Sequence, residues 1–118
     1  MNSKEDSFST IDMDRLHAFF GNNNTAIKEF IVVFINSATQ ELSKIEIAIQ
    51  HQDEKAAKYA FHKLKGSAIN SGFKKIHALC QTAEEKISAA DWTTIDKLYL
   101  HITDALEEIR AESANKLK

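Results

Sequence analysis

Residues 25–50 have the sequence TAIKEFIVVFINSATQELSKIEIAIQ, a stretch without glycine or proline. Its apolar side chains recur at steps of three and four residues, which places them on one side of an α-helix. Because an α-helix rises 1.5 Å per residue, a helix over this stretch would be about 39 Å long. The side chains on this side are Ile27, Phe30, Ile31, Phe34, Ala38, Leu42, Ile45 and Ile49. The pattern predicts a long amphipathic helix with one face buried against other helices.

Four other segments have the same apolar period, and residues that favour helix ends separate them. A short helix is predicted over 11–20, and longer helices over 54–71, over 73–90 and from 92 onward. Asp53 is suited to cap the helix that follows it. The predicted buried side chains are Leu16, Phe19 and Phe20 in the first helix, Ala57, Ala60, Phe61, Leu64 and Ala68 in the third, Phe73, Ile76, Leu79, Cys80, Ala83 and Ile87 in the fourth, and Ile95, Leu98, Ile102, Leu106 and Ile109 in the fifth.

The number of helices and the short connections between them favour one all-α fold. Four long amphipathic helices joined by loops of a few residues pack most simply as an antiparallel up-down four-helix bundle. The short N-terminal helix would cover one end of that bundle. We expect one helical domain over 11–112, a flexible N-terminal segment over 1–10 and a frayed C-terminal tail over 113–118.

The composition excludes several classes of protein. The chain has 118 residues and a formal net charge of −2, a balance that does not favour nucleic acid or a membrane surface as a partner. It has no glycine-rich phosphate-binding motif, and its single cysteine, Cys80, is expected to be a core residue. Its apolar runs are too short for a transmembrane helix or a signal peptide. We therefore expect a cytoplasmic monomer that binds no metal or cofactor of its own.

The most informative single position is His62. At about 100° per residue, His62 lies opposite the apolar side of the third helix, so its imidazole is predicted to face solvent. Lys58 and Lys65 share this face, and so does Gly66, one turn beyond the histidine. A glycine in an exposed helix interior costs about 1 kcal/mol relative to alanine, which indicates a compensating benefit such as close approach by another molecule. Ile69 adds an apolar side chain to the same face.

Ordinary explanations exist for most of these polar residues. An exposed helical histidine usually has no function, exposed lysines usually form a solvated surface, and the Ser67 hydroxyl is as well explained by a bond to the preceding turn. His17, His77 and His101 lie at the borders of apolar stripes, where partly buried structural histidines are common, and His51 suits the C-terminal end of a helix. No two histidines have the spacing of a metal site.

Residues 61–68 have the sequence FHKLKGSA, and a second glycine follows six residues after the first. This run resembles the core motif of the histidine-containing phosphotransfer (Hpt) domain of multistep two-component phosphorelays, which is close to H-x-L-K-G-S-[SA]. The order of the predicted helices is also similar to that family, so the resemblance extends over residues 11–110. Two positions depart from the family pattern. Many members carry a smaller residue in place of Ile69, and some carry a glutamine in place of Glu84.

The resemblance implies that His62 accepts a phosphoryl group from the aspartyl phosphate of one response-regulator receiver domain. His62 would then pass the group to the aspartate of another receiver. Neutral imidazole is a competent nucleophile near neutral pH. Receiver domains are the implied partners, and a hybrid sensor histidine kinase is compatible with the family as a further one. The receiver would bring the Mg²⁺, and this chain would have no autokinase activity because it has no room for an ATP-binding domain.

The resemblance also implies roles for residues around His62. Lys65 would offset the charge of the phosphoryl group, and Lys63, about 100° further round the helix, would bias the surrounding field. Gly66 would make room for the receiver's active-site loops. Glu84, or nearby Gln81, would reach an imidazole nitrogen and fix the tautomer, although an exposed carboxylate with no such role is an equal alternative.

Recognition of the receiver is expected to be largely apolar around His62, with contacts from Ile69 and from first-helix residues such as Ile11. One competing hypothesis is a non-catalytic helical adaptor in which His62 is incidental. A second is a four-helix metal or cofactor bundle, which would need inward-facing Glu-x-x-His ligands that the sequence lacks.

Overall fold

Five α-helices make up the computed structural model, which describes residues 11–117. All regular secondary structure in this part of the chain is helical. The predicted flexible segment 1–10 lies outside the described residues. The helices are α1 (Met13–Phe20), α2 (Asn24–Gln50), α3 (Glu54–Ser71), α4 (Lys74–Ser88) and α5 (Trp92–Lys116).

Side-chain caps determine where four of the helices begin. In each of them, an Asp or Asn side chain accepts a hydrogen bond from the backbone N–H three residues on, which satisfies a donor that the helix itself cannot pair. The capping residues are Asp12, Asn23, Asp53 and Asp91. The helix starts predicted from these residue types agree with the structure to within one or two residues.

The connection between α3 and α4 is shorter and is built differently. Gly72 ends α3 with a φ of 83°, a left-handed conformation that glycine adopts without strain. Phe73, the next residue, immediately precedes α4, and its side chain makes no capping hydrogen bond. Its ring is fully buried, with its centroid 4.3 Å from that of Phe34. This apolar contact holds the residue before α4 against α2.

The four long helices form a closed antiparallel bundle. Helix α2 packs against α3 and α5, and α4 packs against the other sides of α3 and α5. Helix α1 lies across one end, where Leu16 is buried and the Phe20 ring is 5.4 Å from that of Phe30. The Arg15 guanidinium donates a hydrogen bond of 3.0 Å to the carbonyl of Asn70, which ties α1 to the end of α3. The predicted fold class is confirmed.

The prediction that Phe19 of α1 is a core residue is wrong. Phe19 is 71% exposed, and its ring lies beneath the Arg15 guanidinium carbon at 5.7 Å. A helix of eight residues contacts the bundle along one narrow side, and Leu16 and Phe20 already occupy that side. Four other predicted core residues, Phe20, Phe30, Ile49 and Leu79, are half-buried at the edges of their stripes.

The bundle also extends further toward the C-terminus than the predicted boundary at 112. Helix α5 continues to Lys116, and both Ser113 and Leu117 are buried. Helix α2 has 27 residues, and α5 runs antiparallel to it, so 25 residues of α5 are needed to cover most of its length. The predicted frayed tail is therefore mostly helical.

Candidate functional site

His62 lies on the outer surface of α3. Phe61 and Leu64, on the opposite side of the helix, are fully buried in the core. Because the imidazole points about half a turn away from the centre of this buried stripe, its side chain is 71% exposed. The prediction that this ring faces solvent is confirmed.

A carboxylate on the neighbouring helix contacts the imidazole. The Oε1 atom of Glu84 lies 3.2 Å from Nδ1 of His62. Helix α4 buries Ala83 and Ile87, and Glu84 lies at the edge of that apolar face, where its side chain is 16% exposed. Gln81, the alternative partner, is exposed. The contact is therefore made by Glu84 from a position that is largely shielded from water.

Lys65 contacts the other oxygen of the same carboxylate. Its ammonium nitrogen lies 2.7 Å from Oε2 of Glu84, and its side chain is 22% exposed. At this distance the two groups form an ion pair. Glu84 thus links a cation on one side to the imidazole on the other.

This arrangement places a hydrogen-bond acceptor opposite Nδ1 of His62. An ionised carboxylate can only accept hydrogen bonds, so the imidazole nitrogen that faces it must be the donor. We therefore assign the proton of the neutral ring to Nδ1. The lone pair is then on Nε2, the nitrogen that is free to attack an electrophile from solvent.

Gly66 leaves open space beside the imidazole. A Cβ atom built at this position has no non-local heavy atom within 4 Å. The residue has ordinary helical backbone angles, since Gly21 and Gly72 are the described glycines with positive φ. The backbone conformation therefore does not require glycine here, and what its absent side chain provides is room on the surface.

Lys63 points toward α2, on the other flank of α3. Its ammonium lies 3.4 Å from Oε2 of Glu41, and Lys44 approaches the same oxygen at 3.6 Å. Glu41 is buried, yet the sequence analysis did not single it out. Its burial could have been predicted from its position, since it lies between Ala38 and Ile45 on the apolar side of α2.

Comparison with known families gives a further observation. The family model of the Hpt domain matches residues 29–112, which is more than half of the chain. The chain belongs to the Hpt domain family. Members carry phosphoryl groups on histidine in phosphorelays and act as carriers rather than as typical enzymes. Searches of curated proteins and of solved structures gave no significant match.

The other histidines of this Hpt domain do not share the surroundings of His62. His17 and His101 are exposed, so the expectation that they are partly buried was wrong, whereas His77 is half-buried. His51 caps the end of α2, with Nδ1 at 3.1 Å from the carbonyl oxygen of Ile47. Among these, no contact with a carboxylate like that of His62 is found in the described residues.

Cys80 is a core residue, as predicted. Its side chain is fully buried on α4, one turn before Glu84. Burial, and to a smaller extent the negative charge of Glu84, raises the pKa of this thiol to about 12. The thiolate is therefore scarce at neutral pH, and the residue is a poor nucleophile.

The apolar surface around the imidazole differs in part from the predicted one. Ile69 is 41% exposed on the same face of α3, as expected, and Tyr59, one turn before His62, is exposed as well. Ile11 is buried in the core beneath α1, so the prediction that it contributes to this surface was wrong.

Residues 11–117 contain no group of three or more His, Cys, Asp or Glu side chains placed to hold a metal ion. None of the helices in that range combines the length and the apolar character that crossing a bilayer requires.

Proposed function

We propose that this Hpt domain is a phosphorelay intermediate in which His62 is the phosphoryl carrier. The observation that carries the proposal is the exposed imidazole with Nδ1 facing Glu84 and open space at Gly66. In such a relay, one receiver domain donates the group and a second one accepts it. The composition of the chain favours the cytoplasm as the compartment, and we expect the domain to act as a monomer.

The transfer step follows from the assigned tautomer. The lone pair of Nε2 attacks the phosphorus atom of the receiver's aspartyl phosphate, and an N–P bond forms. The P–O bond to the aspartate breaks, and its electron pair stays on the aspartate carboxylate. The proton on Nδ1 does not have to move. Onward transfer is the same step in reverse, with a carboxylate oxygen of the second receiver attacking phosphorus.

The remaining residues contribute charge and access. The ammonium of Lys65 is close enough to Glu84 to be held at the site, where it would offset the added charge of the phosphoryl group. Lys63 is paired with buried Glu41, so we assign it only a weak influence through the surrounding field. Phosphoryl transfer depends mainly on positioning and charge neutralisation, and we place the Mg²⁺ that supplies much of the latter on the receiver.

The test is transfer from a receiver domain that carries labelled aspartyl phosphate, in the presence of Mg²⁺. We expect a label on this chain that is lost in acid and stable in alkali, the behaviour of phosphohistidine. The variant His62→Gln should remain unlabelled, and His101→Gln, which removes another exposed histidine, should be labelled normally. Binding of a receiver without transfer would favour the non-catalytic adaptor instead.

The positioning role of Glu84 needs its own measurement. We expect Glu84→Ala to slow labelling and to mix the two tautomers of His62, as followed by the ¹⁵N chemical shifts of the ring. An unchanged rate together with unchanged tautomer populations would remove Glu84 from the proposed site.

A further inference from the structure

The chemical type of the Glu84 side chain matters as well as its position. A carboxylate and an amide of the same shape interact differently with Nδ1 of His62. An amide group can accept a proton from the ring nitrogen or donate one to it. An ionised carboxylate can only accept. With Oε1 at 3.2 Å from Nδ1, Glu84 therefore favours the proton on that nitrogen in every state of the ring.

The surroundings of Glu84 pair its carboxylate with a cation in a largely shielded position. Its side chain is 16% exposed, and Oε2 is shielded from solvent with the Lys65 ammonium at 2.7 Å. A neutral carboxylic acid would leave this ammonium facing no negative charge in a partly buried place. The imidazole itself is much more open, so a group added at Nε2 has room in solvent without displacing Glu84.

We propose that Glu84 holds the Nδ1 proton on His62 after phosphorylation and so keeps the phosphohistidine in its labile form. This inference rests on the proposed function, since it assumes that His62 is the phosphoryl carrier. It deepens that function, because it assigns to Glu84 control over how long the phosphoryl group stays on this chain.

The chemical reason lies in the leaving group. When an acceptor oxygen attacks phosphorus, the N–P bond breaks and its electron pair stays on Nε2. If Nδ1 carries its proton, neutral imidazole leaves. If Nδ1 has lost that proton, the ring must leave as imidazolate or first gain a proton from solvent. Imidazolate is a far stronger base and a much poorer leaving group, so the protonated ring gives up its phosphoryl group faster.

Lys65 has two anions within reach in the phosphorylated state. Its ammonium pairs with Glu84 in the described structure, and a phosphoryl group on Nε2 adds about −1.5 to −2 charges nearby. We expect Lys65 to lie between the carboxylate and the phosphoryl oxygens. It would then neutralise part of both charges, while the Nδ1–H bond to Oε1 persists.

The test does not need a receiver. Phosphoramidate, a small nitrogen–phosphorus donor, would be used to phosphorylate the whole chain, with loss of ammonia. ¹H–¹⁵N correlation spectra of the imidazole rings at neutral pH then report whether Nδ1 of phosphorylated His62 carries a proton, and His62→Gln identifies its signals. The decay of the phosphohistidine signal with time gives its lifetime.

Two matched variants separate the carboxylate from the general charge of the surface. Glu84→Gln keeps the shape of the side chain, and Glu85→Gln removes the same charge from the next, exposed residue of α4. We expect the Nδ1 proton in the unsubstituted chain and in Glu85→Gln. In Glu84→Gln, Nδ1 should be largely unprotonated, and the decay should be about tenfold slower, which corresponds to about 1.4 kcal/mol and is within the contribution of one charge-assisted hydrogen bond.

Two results would overturn the inference. One is an unprotonated Nδ1 in the phosphorylated, unsubstituted chain, a measurement that requires no variant to fold. The other is a Glu84→Gln lifetime equal to that of Glu85→Gln. Neither result depends on transfer from a receiver, so the relay function and the role of Glu84 in phosphohistidine lifetime can fail separately.

Discussion

The open space at Gly66 gives a prediction in which stability and activity change in opposite directions. Glycine is about 1 kcal/mol less favourable than alanine in a helix interior, and glutamine is close to alanine. Apart from its chain neighbours and the backbone of its own helix, no heavy atom lies within 4 Å of a Cβ at this position, and the residue is already helical, so the first atom of a side chain enters open space. We expect the variant to be more stable by about 0.5 to 1 kcal/mol, which raises the melting temperature by about 2 to 6 °C.

Phosphotransfer should respond in the other direction. The added side chain occupies the space through which a receiver's active-site loops would approach His62. Displacing reacting groups by about 1 Å costs about a hundredfold in rate, so we expect a loss of this order in the initial rate of labelling by a phosphorylated receiver. Gly66→Ala is the matched control, since it gains similar helix stability but adds only a methyl group.

The two measurements check separate steps of the reasoning. Thermal unfolding followed by far-UV circular dichroism tests whether the space is empty in the folded domain, and a lower melting temperature for Gly66→Gln would show that it is not. Labelling at the normal rate by Gly66→Gln, with the fold intact, would refute the claim that a receiver must approach closely at this position.

Three further predictions follow from the charges and the buried thiol. Lys65→Ala should slow labelling of His62 by about tenfold and Lys63→Ala by much less, because only the first ammonium lies at the Glu84 side of the helix; equal effects would contradict the assignment. The hydroxyl and backbone hydrogen bonds of Thr94 lower the pKa of Asp91, so its stabilising effect is present above the ordinary aspartate pKa and is lost as the pH falls through the lowered one. Asp91→Asn should therefore weaken the acid-induced loss of stability in urea unfolding measured between about pH 2 and pH 5, and an unaltered pH dependence would exclude this contribution. Cys80, with its pKa raised to about 12, should react with an aromatic disulfide reagent only when the chain is unfolded, and rapid reaction in native buffer would show that the thiol is accessible.

The sequence predicted most of the fold because helix period and caps are local signals. The capping residues Asp53 and Asp91 stand directly before the helices they cap, and the five predicted core residues of α3 are all buried. The exposure of His62 followed from the same geometry, since a residue half a turn away from the centre of the buried stripe must point outward. For these features, one helix contains all the information that is needed.

The features that the sequence did not predict depend on contacts between helices. Phe19 is apolar and has the right spacing, but α1 is too short for more than one side of it to contact the bundle. Leu117 follows a polar stretch, yet it is buried, because the length of α2 leaves a surface for α5 to cover. Ile11 was assigned to the surface around His62, although it lies in the core. Each of these errors concerns the helix that a side chain packs against, which the sequence of a single helix does not show.

The lysines around His62 show most clearly why a single helix was not enough. In the sequence they form a group of positive charges on the face of α3, which suggests a surface that attracts any phosphate. In the structure, Lys65 is paired with Glu84 of α4 and Lys63 with Glu41 of α2, one on each flank of the helix. Glu84 therefore offsets much of the Lys65 charge before phosphorylation, and a free phosphate ion gains less from that ammonium than it would from an unpaired one. A phosphoryl group bonded to Nε2 lies beside Lys65 at a high effective concentration, so it can share that ammonium with Glu84, whereas a phosphate ion in solution must compete for it. On this argument, pairing with Glu84 makes the Lys65 ammonium more available to a phosphoryl group that is already bonded to His62 than to free phosphate.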